Sequence, residues 1–157
     1  MTVESSRVGA AQDALYAILN ARAGYTNADG SKVPVDLGYP LPIPQDEHVW
    51  ISGEINDWTQ EAETTGDMPA RQEDFTLTVN IIVRRTTGSY TNVRDRALVL
   101  ASEVELGVRS NAGLPNPSNT VNFSEVATMN MTELVQNEKR EIQIKLGVRC
   151  TAQLHSA

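Results

Sequence analysis

The stretch Arg140-Glu-Ile-Gln-Ile-Lys-Leu-Gly-Val-Arg-Cys-Thr-Ala-Gln-Leu154 alternates apolar and polar residues without a break. Ile142, Ile144, Leu146, Val148, Cys150, Ala152 and Leu154 fall on one side, and Gln143, Lys145, Gly147, Arg149, Thr151 and Gln153 on the other. A period of two marks a strand with one buried and one solvated face. Fully burying each large aliphatic side chain of such a stripe contributes about 1.5 to 3 kcal/mol, so the strand is expected to be integral to the fold. A one-faced strand belongs in an antiparallel sheet, because parallel sheets are covered on both faces and read as continuous apolar runs.

The same pattern recurs upstream, where Phe75, Leu77, Val79, Ile81 and Val83 alternate with Thr76, Thr78, Asn80, Ile82 and Arg84. His48 to Ile55 predicts a further strand, with Val49, Ile51 and Ile55 on one face and Trp50 on the other. From Thr120 to Val135 the alternation slips, since Val121 and Phe123 share one register and Val126 takes the other; a bulge or bend near Ser124 is expected. Two segments have helical spacing instead. Val8, Ala11, Leu15, Ile18, Leu19 and Ala23 form one stripe, with Ser5 or Ser6 as cap and Gly24 as stop. Val93, Ala97, Leu100, Ala101, Val104 and Val108 form the other, entered through Thr87-Gly88-Ser89. The order helix, strand, strand, helix, strand, strand predicts an α+β fold: an antiparallel sheet of about four strands with two helices packed on one face.

Two segments read as extended loops. Residues 25–46 carry Gly30, Pro34, Gly38, Pro40, Pro42 and Pro44, which predicts an extended, ordered or semi-rigid connector, not a central strand, that can span distance without a sheet. Residues 56–72 are polar and acidic with Gly66 and Pro69, and predict a long loop or an irregular hairpin. A length of 157 residues fits one domain, 1–157.

The chain has 20 Asp and Glu against 13 Lys and Arg, a net charge of −7. That charge is local. Residues 46–74 hold nine acids against Arg71 alone, a net of −8; residues 1–45 sum to −1 and residues 75–157 to +2. An acidic chain is poorly suited to wrapping nucleic acid, because phosphate contacts are made mainly by Lys and Arg. Cys150 is the only cysteine, which rules out an intrachain disulfide or a cysteine zinc cluster; on the apolar face of its strand it is expected to be a buried, inert thiol. No apolar run approaches the roughly 18 residues of a membrane span and no secretory leader is evident, which predicts a soluble intracellular protein.

The residues that chemistry would require are not assembled. His48 and His155 have no partner at metal-ligand spacing, and the glycines form no phosphate-binding loop. Glu61 and Glu63 are the nearest thing to a carboxylate pair, with nothing beside them to raise a pKa. No catalytic, cofactor-binding or metal-binding residue is predicted, and the expectation is a non-enzymatic assembly protein. Trp58, in a hydrophilic segment, is either an anchor of its own loop or an interface residue.

Taken together, the amino-terminal helix, the proline-rich connector, the strand Val49-Trp-Ile-Ser-Gly-Glu54, the acidic segment, the long strand ending in Arg84-Arg85, the helix entered by Val93-Arg-Asp-Arg-Ala-Leu98 and the two terminal strands resemble the tail terminator (tail completion or minor tail) proteins of long-tailed bacteriophages and phage-like gene transfer particles. The likeness spans nearly the whole chain, and Glu73 to Arg109 carries most of it. The resemblance implies a structural virion protein at the head-proximal end of the tail. Its subunits would form a hexameric ring that ends tail tube growth and docks the head through a connector or stopper protein. DNA would pass through without specific binding, and neither a cofactor nor a membrane would be involved. Under that reading Glu54, Asp57, Glu61, Glu63 and Asp67 are candidates for an acidic channel rim, and Trp58, Arg84, Arg85, Arg94, Arg96 and Arg109 for subunit contacts.

Overall fold

A computed structural model describes residues 6–22, 25–26, 30–42, 46–65, 68–115 and 121–155; for 62–65, 68–70 and 155 the description is of the backbone alone. The elements in chain order are helix α1 (Val8–Asn20), strands β1 (Val35–Leu37), β2 (Glu47–Thr65) and β3 (Met68–Arg85), helix α2 (Tyr90–Ser110), and strands β4 (Phe123–Gln136) and β5 (Lys139–His155). The strands form one five-stranded sheet in the order β1-β2-β3-β5-β4. Every pairing is antiparallel except that of β1 with β2. The α+β class stands, with five strands in place of about four and a mixed sheet in place of a purely antiparallel one.

The carboxy-terminal strand is central. β5 pairs with β3 from Arg140–Arg85 to His155–Ala70 and with β4 along its other side. Ile142, Ile144, Leu146, Val148, Cys150 and Ala152 lie in the core with Phe75, Leu77, Val79 and Ile81. Helix α2 covers this face through Val93, Ala97, Leu100, Val104 and Val108, and α1 packs beside it through Ala11, Leu15 and Leu19. The helices meet closely at Gly107, where a Cβ would lie 3.3 Å from Ile18 Cγ2. Gly147 is more constrained still. A Cβ there would lie 2.3 Å from Thr128 Oγ1, so glycine lets β4 and β5 close on the open face.

Ser89 caps α2 as its sequence predicts, accepting from the Asn92 N–H. The start of α1 differs. Its N-cap is Arg7, without a side-chain cap; Ser6 Oγ accepts from the Val8 N–H instead, and Arg7 N–H donates to Glu73 Oε1 at 2.9 Å. Glu73 is fully buried on β3 and also accepts from Trp58 Nε1 at 3.1 Å. A carboxylate at a helix N-terminus meets the positive end of the macrodipole, which accounts for a buried glutamate in an otherwise apolar stripe. The helix ends at Asn20 with Ala21 as its C-cap; Ala23 and the expected stop, Gly24, lie outside the described residues.

One expectation is corrected and another is narrowed. The connector does join the sheet, because Pro34 O accepts from Val49 N–H and Gly38 N–H donates to Ile51 O. β1 falls between the prolines, where Val35, Asp36 and Leu37 retain their N–H groups, and as an edge strand it needs partners on one side only. Of the two alternatives for residues 56–72, the irregular hairpin is the one found: 56–65 and 68–72 are strand, the distal half of the β2–β3 hairpin. Register shifts between Ile51 and Ile55 and between Asn56 and Thr59, with Asp57 at φ 53°, break the alternation that would have revealed it. The slip in β4 is also real, but it falls between Val126 and Thr128 and not at Ser124. Ser124 is buried, its hydroxyl donating to Ala112 O.

Candidate assembly surfaces

The arginines proposed for subunit contacts divide into those that tie separate elements together and those that pair only within helix α2. β3 ends in Arg84 and Arg85 at the edge where β2 begins, and α2 starts above them. Arg84 grips Glu141 Oε1 through Nε at 3.0 Å and Nη2 at 2.7 Å, with Asp46 at 3.8 Å. Arg85 and Arg96 share the buried carboxylate of Glu47, and Arg96 also donates to Thr26 O. These bonds tie the start of β2, the end of β3 and helix α2 into one cluster. Burial pushes the Glu47 carboxyl up, but hydrogen bonds and charge from Arg96 and Arg85 outweigh it and hold the group below its ordinary value. Arg96 therefore turns inward, whereas Arg94 bonds its neighbour Asp95 and lies 5.7 Å from the centre of the Tyr90 ring. Arg109 is two-thirds exposed and 3.6 Å from Glu105.

Of the acidic candidates, Glu54, Asp57 and Glu61 are exposed on β2, while Glu63 has only its backbone described and Asp67 lies outside the described residues. Trp58, half exposed on the same strand, is anchored within the chain by Glu73.

Features without a sequence signal also emerge. His48 is buried with its ring nitrogen against the Asp36 carboxylate and its ring 6.1 Å from that of Trp50. On the face away from the helices, Thr76, Thr78 and Asn80 of β3 share cross-strand rows with Arg149, Gly147 and Lys145 of β5. Among the described residues Lys145 and Arg149 are exposed and outside the ion pairs that engage Arg84, Arg85 and Arg140 of the sheet. Cys150 is buried as expected, and burial pushes its thiol up to about 12, far from a thiolate at neutral pH. Among the described residues no group of three His, Cys, Asp or Glu side chains is placed to hold a metal ion. No described helix is long and apolar enough to cross a membrane.

The chain presents an open polar sheet face, an acidic hairpin and two sheet edges. The same fold is found in a gene transfer agent. A chain in the solved virion of a native gene transfer agent particle superposes with a TM-score of 0.55 at 15% sequence identity, covering 98% of this chain and 100% of that one. At that identity the likeness is one of fold. No protein-family model matches the sequence, and no curated protein matches it.

Proposed function

We propose that this chain is a structural virion subunit, a tail terminator that forms a ring on the last ring of the tail tube, ends its polymerisation and presents the surface to which the head docks. The observation that carries the reading is the fold shared over the whole of both chains with a gene transfer agent virion protein. It agrees with the order of sequence elements that resembles tail terminators.

In this reading the ring is a hexamer, its partners are the tail tube protein below and a head-to-tail connector or stopper above, and DNA passes through without being held. The exposed carboxylates of the β2–β3 hairpin repel phosphate at the rim, an effect within reach of a Debye length of about 8 Å at physiological salt. Arg84, Arg85 and Arg96 stiffen the end of the sheet that carries their own carboxylates, while Arg94 and Arg109 are accessible for contacts with other subunits. Electron microscopy of the purified chain mixed with tail tubes tests the proposal. Single rings seated on tube ends are expected; filaments made of this chain would assign it to the tube itself, and bare tube ends would refute the role.

A further inference from the structure

The sheet has two edges that differ in how they are protected. Free edges in natural proteins are short, charged, bulged or covered, because unpaired N–H and C=O groups recruit other strands. Beyond β1, the outer edge of β2 follows that rule: it is bulged twice and carries Glu54, Asp57 and Glu61. β4 follows it only in part. Its ends carry Glu125 and Glu133 and its one bulge lies between Val126 and Thr128, but the stretch between, Thr128 to Thr132, pairs with β5 in unbroken register without a charge or a Pro and presents Met129 and Met131 to solvent, Met129 being 57% exposed. The opposite edge has an apolar counterpart in Leu37, Tyr39 and Leu41, exposed by 46%, 58% and 85%.

The two apolar edges are matched in height and direction. Across the sheet, Val35, Val49, Ile81, Ile144 and Met131 form one row, and Leu37, Ile51, Val79, Leu146 and Met129 another. β1 runs with β2, and the three antiparallel steps from β2 to β4 leave β1 and β4 opposed. The bonds of β1 to β2 engage residues 34 and 38, which turns the main chain of Val35 and Leu37 outward. Rotation about an axis parallel to the strands preserves height, so each copy in a ring meets the next at the same level. Such a ring is built from heterologous contacts, one patch against a different one.

We propose that the partner of the β4 edge is β1 of a second copy of this chain, paired antiparallel with Leu37 beside Met129 and Val35 beside Met131, and with Tyr39 and Leu41 continuing the seam. The inference rests on the ring reading above and adds the residues that close it. Directly opposed Cα atoms in an antiparallel pair are about 4.5 to 5.5 Å apart, within the 4.4 to 6.8 Å that a disulfide spans.

The test is the double variant Leu37→Cys, Met129→Cys, mixed with tail tubes under mild oxidation and resolved on a non-reducing gel. These positions lie on opposite edges of one chain, so a bond between them joins two chains. A covalent ladder up to the size of the ring is expected, with neither single variant giving one. Rings seen by microscopy without a ladder would overturn the seam and leave the ring reading standing; a dimer from Leu37→Cys alone would overturn it in favour of a two-fold contact; and no rings from the unaltered chain would overturn both. As an independent check, Met131→Lys is expected to keep the native circular dichroism spectrum and lose assembly. Normal assembly of that variant would also overturn the seam.

Discussion

β5 and the distal half of the β2–β3 hairpin are both long ladders, yet they are bonded into the molecule in different ways. β5 has a partner strand on each side and buries one whole face; the distal hairpin displays exposed carboxylates at Asp57 and Glu61. Ladder hydrogen bonds are common to both, and each contributes only about 1 kcal/mol net, so burial is what separates them. The first region holds the fold and the second is free to serve a surface role.

The largest effect is expected at the centre of β5. Ile144→Asp places an unpaired carboxylate at a fully buried site and should cost more than about 4 kcal/mol, abolishing the native circular dichroism spectrum. Gly147→Ala, on the open face of the same strand, drives a Cβ against Thr128 and should cost about 1 to 3 kcal/mol in urea unfolding. Replacing Thr128 by Ser or Ala in that background should recover part of the loss.

A smaller, pH-dependent effect belongs to Glu47. Its carboxyl titrates below its ordinary value of about 4.3 when folded, so its contribution is complete above that pH and fades as pH falls through the folded value. Thermal melts of Glu47→Gln should show lower stability at pH 7 and a flatter loss below about pH 4.5 than the unaltered chain. The least costly changes lie at the periphery. Asn137 and Glu138 both have left-handed φ values, 51° and 63°, in the two-residue turn between β4 and β5. Glu138→Gly should stabilise by up to about 1 kcal/mol, because glutamate pays a steric cost there that glycine avoids. Neutralising Glu54, Asp57, Glu61, Glu63 and Asp67 together should leave the melting temperature nearly unchanged while slowing DNA ejection from assembled particles. Normal ejection would show these carboxylates to be solvated surface only.

The parts of the fold that were legible in the sequence are those where one face is buried. β5, β3 and α2 each repeat an apolar stripe at the period of their geometry, and Ser89 announces its helix. β1 was hidden because an edge strand of three residues between prolines has no room for a pattern, and the distal hairpin was legible only as one of two alternatives, a loop or an irregular hairpin, because bulges interrupt its alternation. The arginine cluster was half visible. Its cations stand out in the sequence, but Glu47 and Glu141 become their partners only through cross-strand register, which composition does not encode. The apolar edge of β4 leaves a signal that is read only in hindsight: Met129, Met131, Leu134 and Val135 occupy both registers, so no single core face could have taken them all.

The assembly role is tested most directly by polymerising tail tube subunits in the presence of this chain and measuring tube length. Addition during growth should arrest elongation, giving short tubes that each carry one ring of the chain at one end. Tubes that grow to their usual length, or that incorporate the chain along their walls, would contradict a terminator.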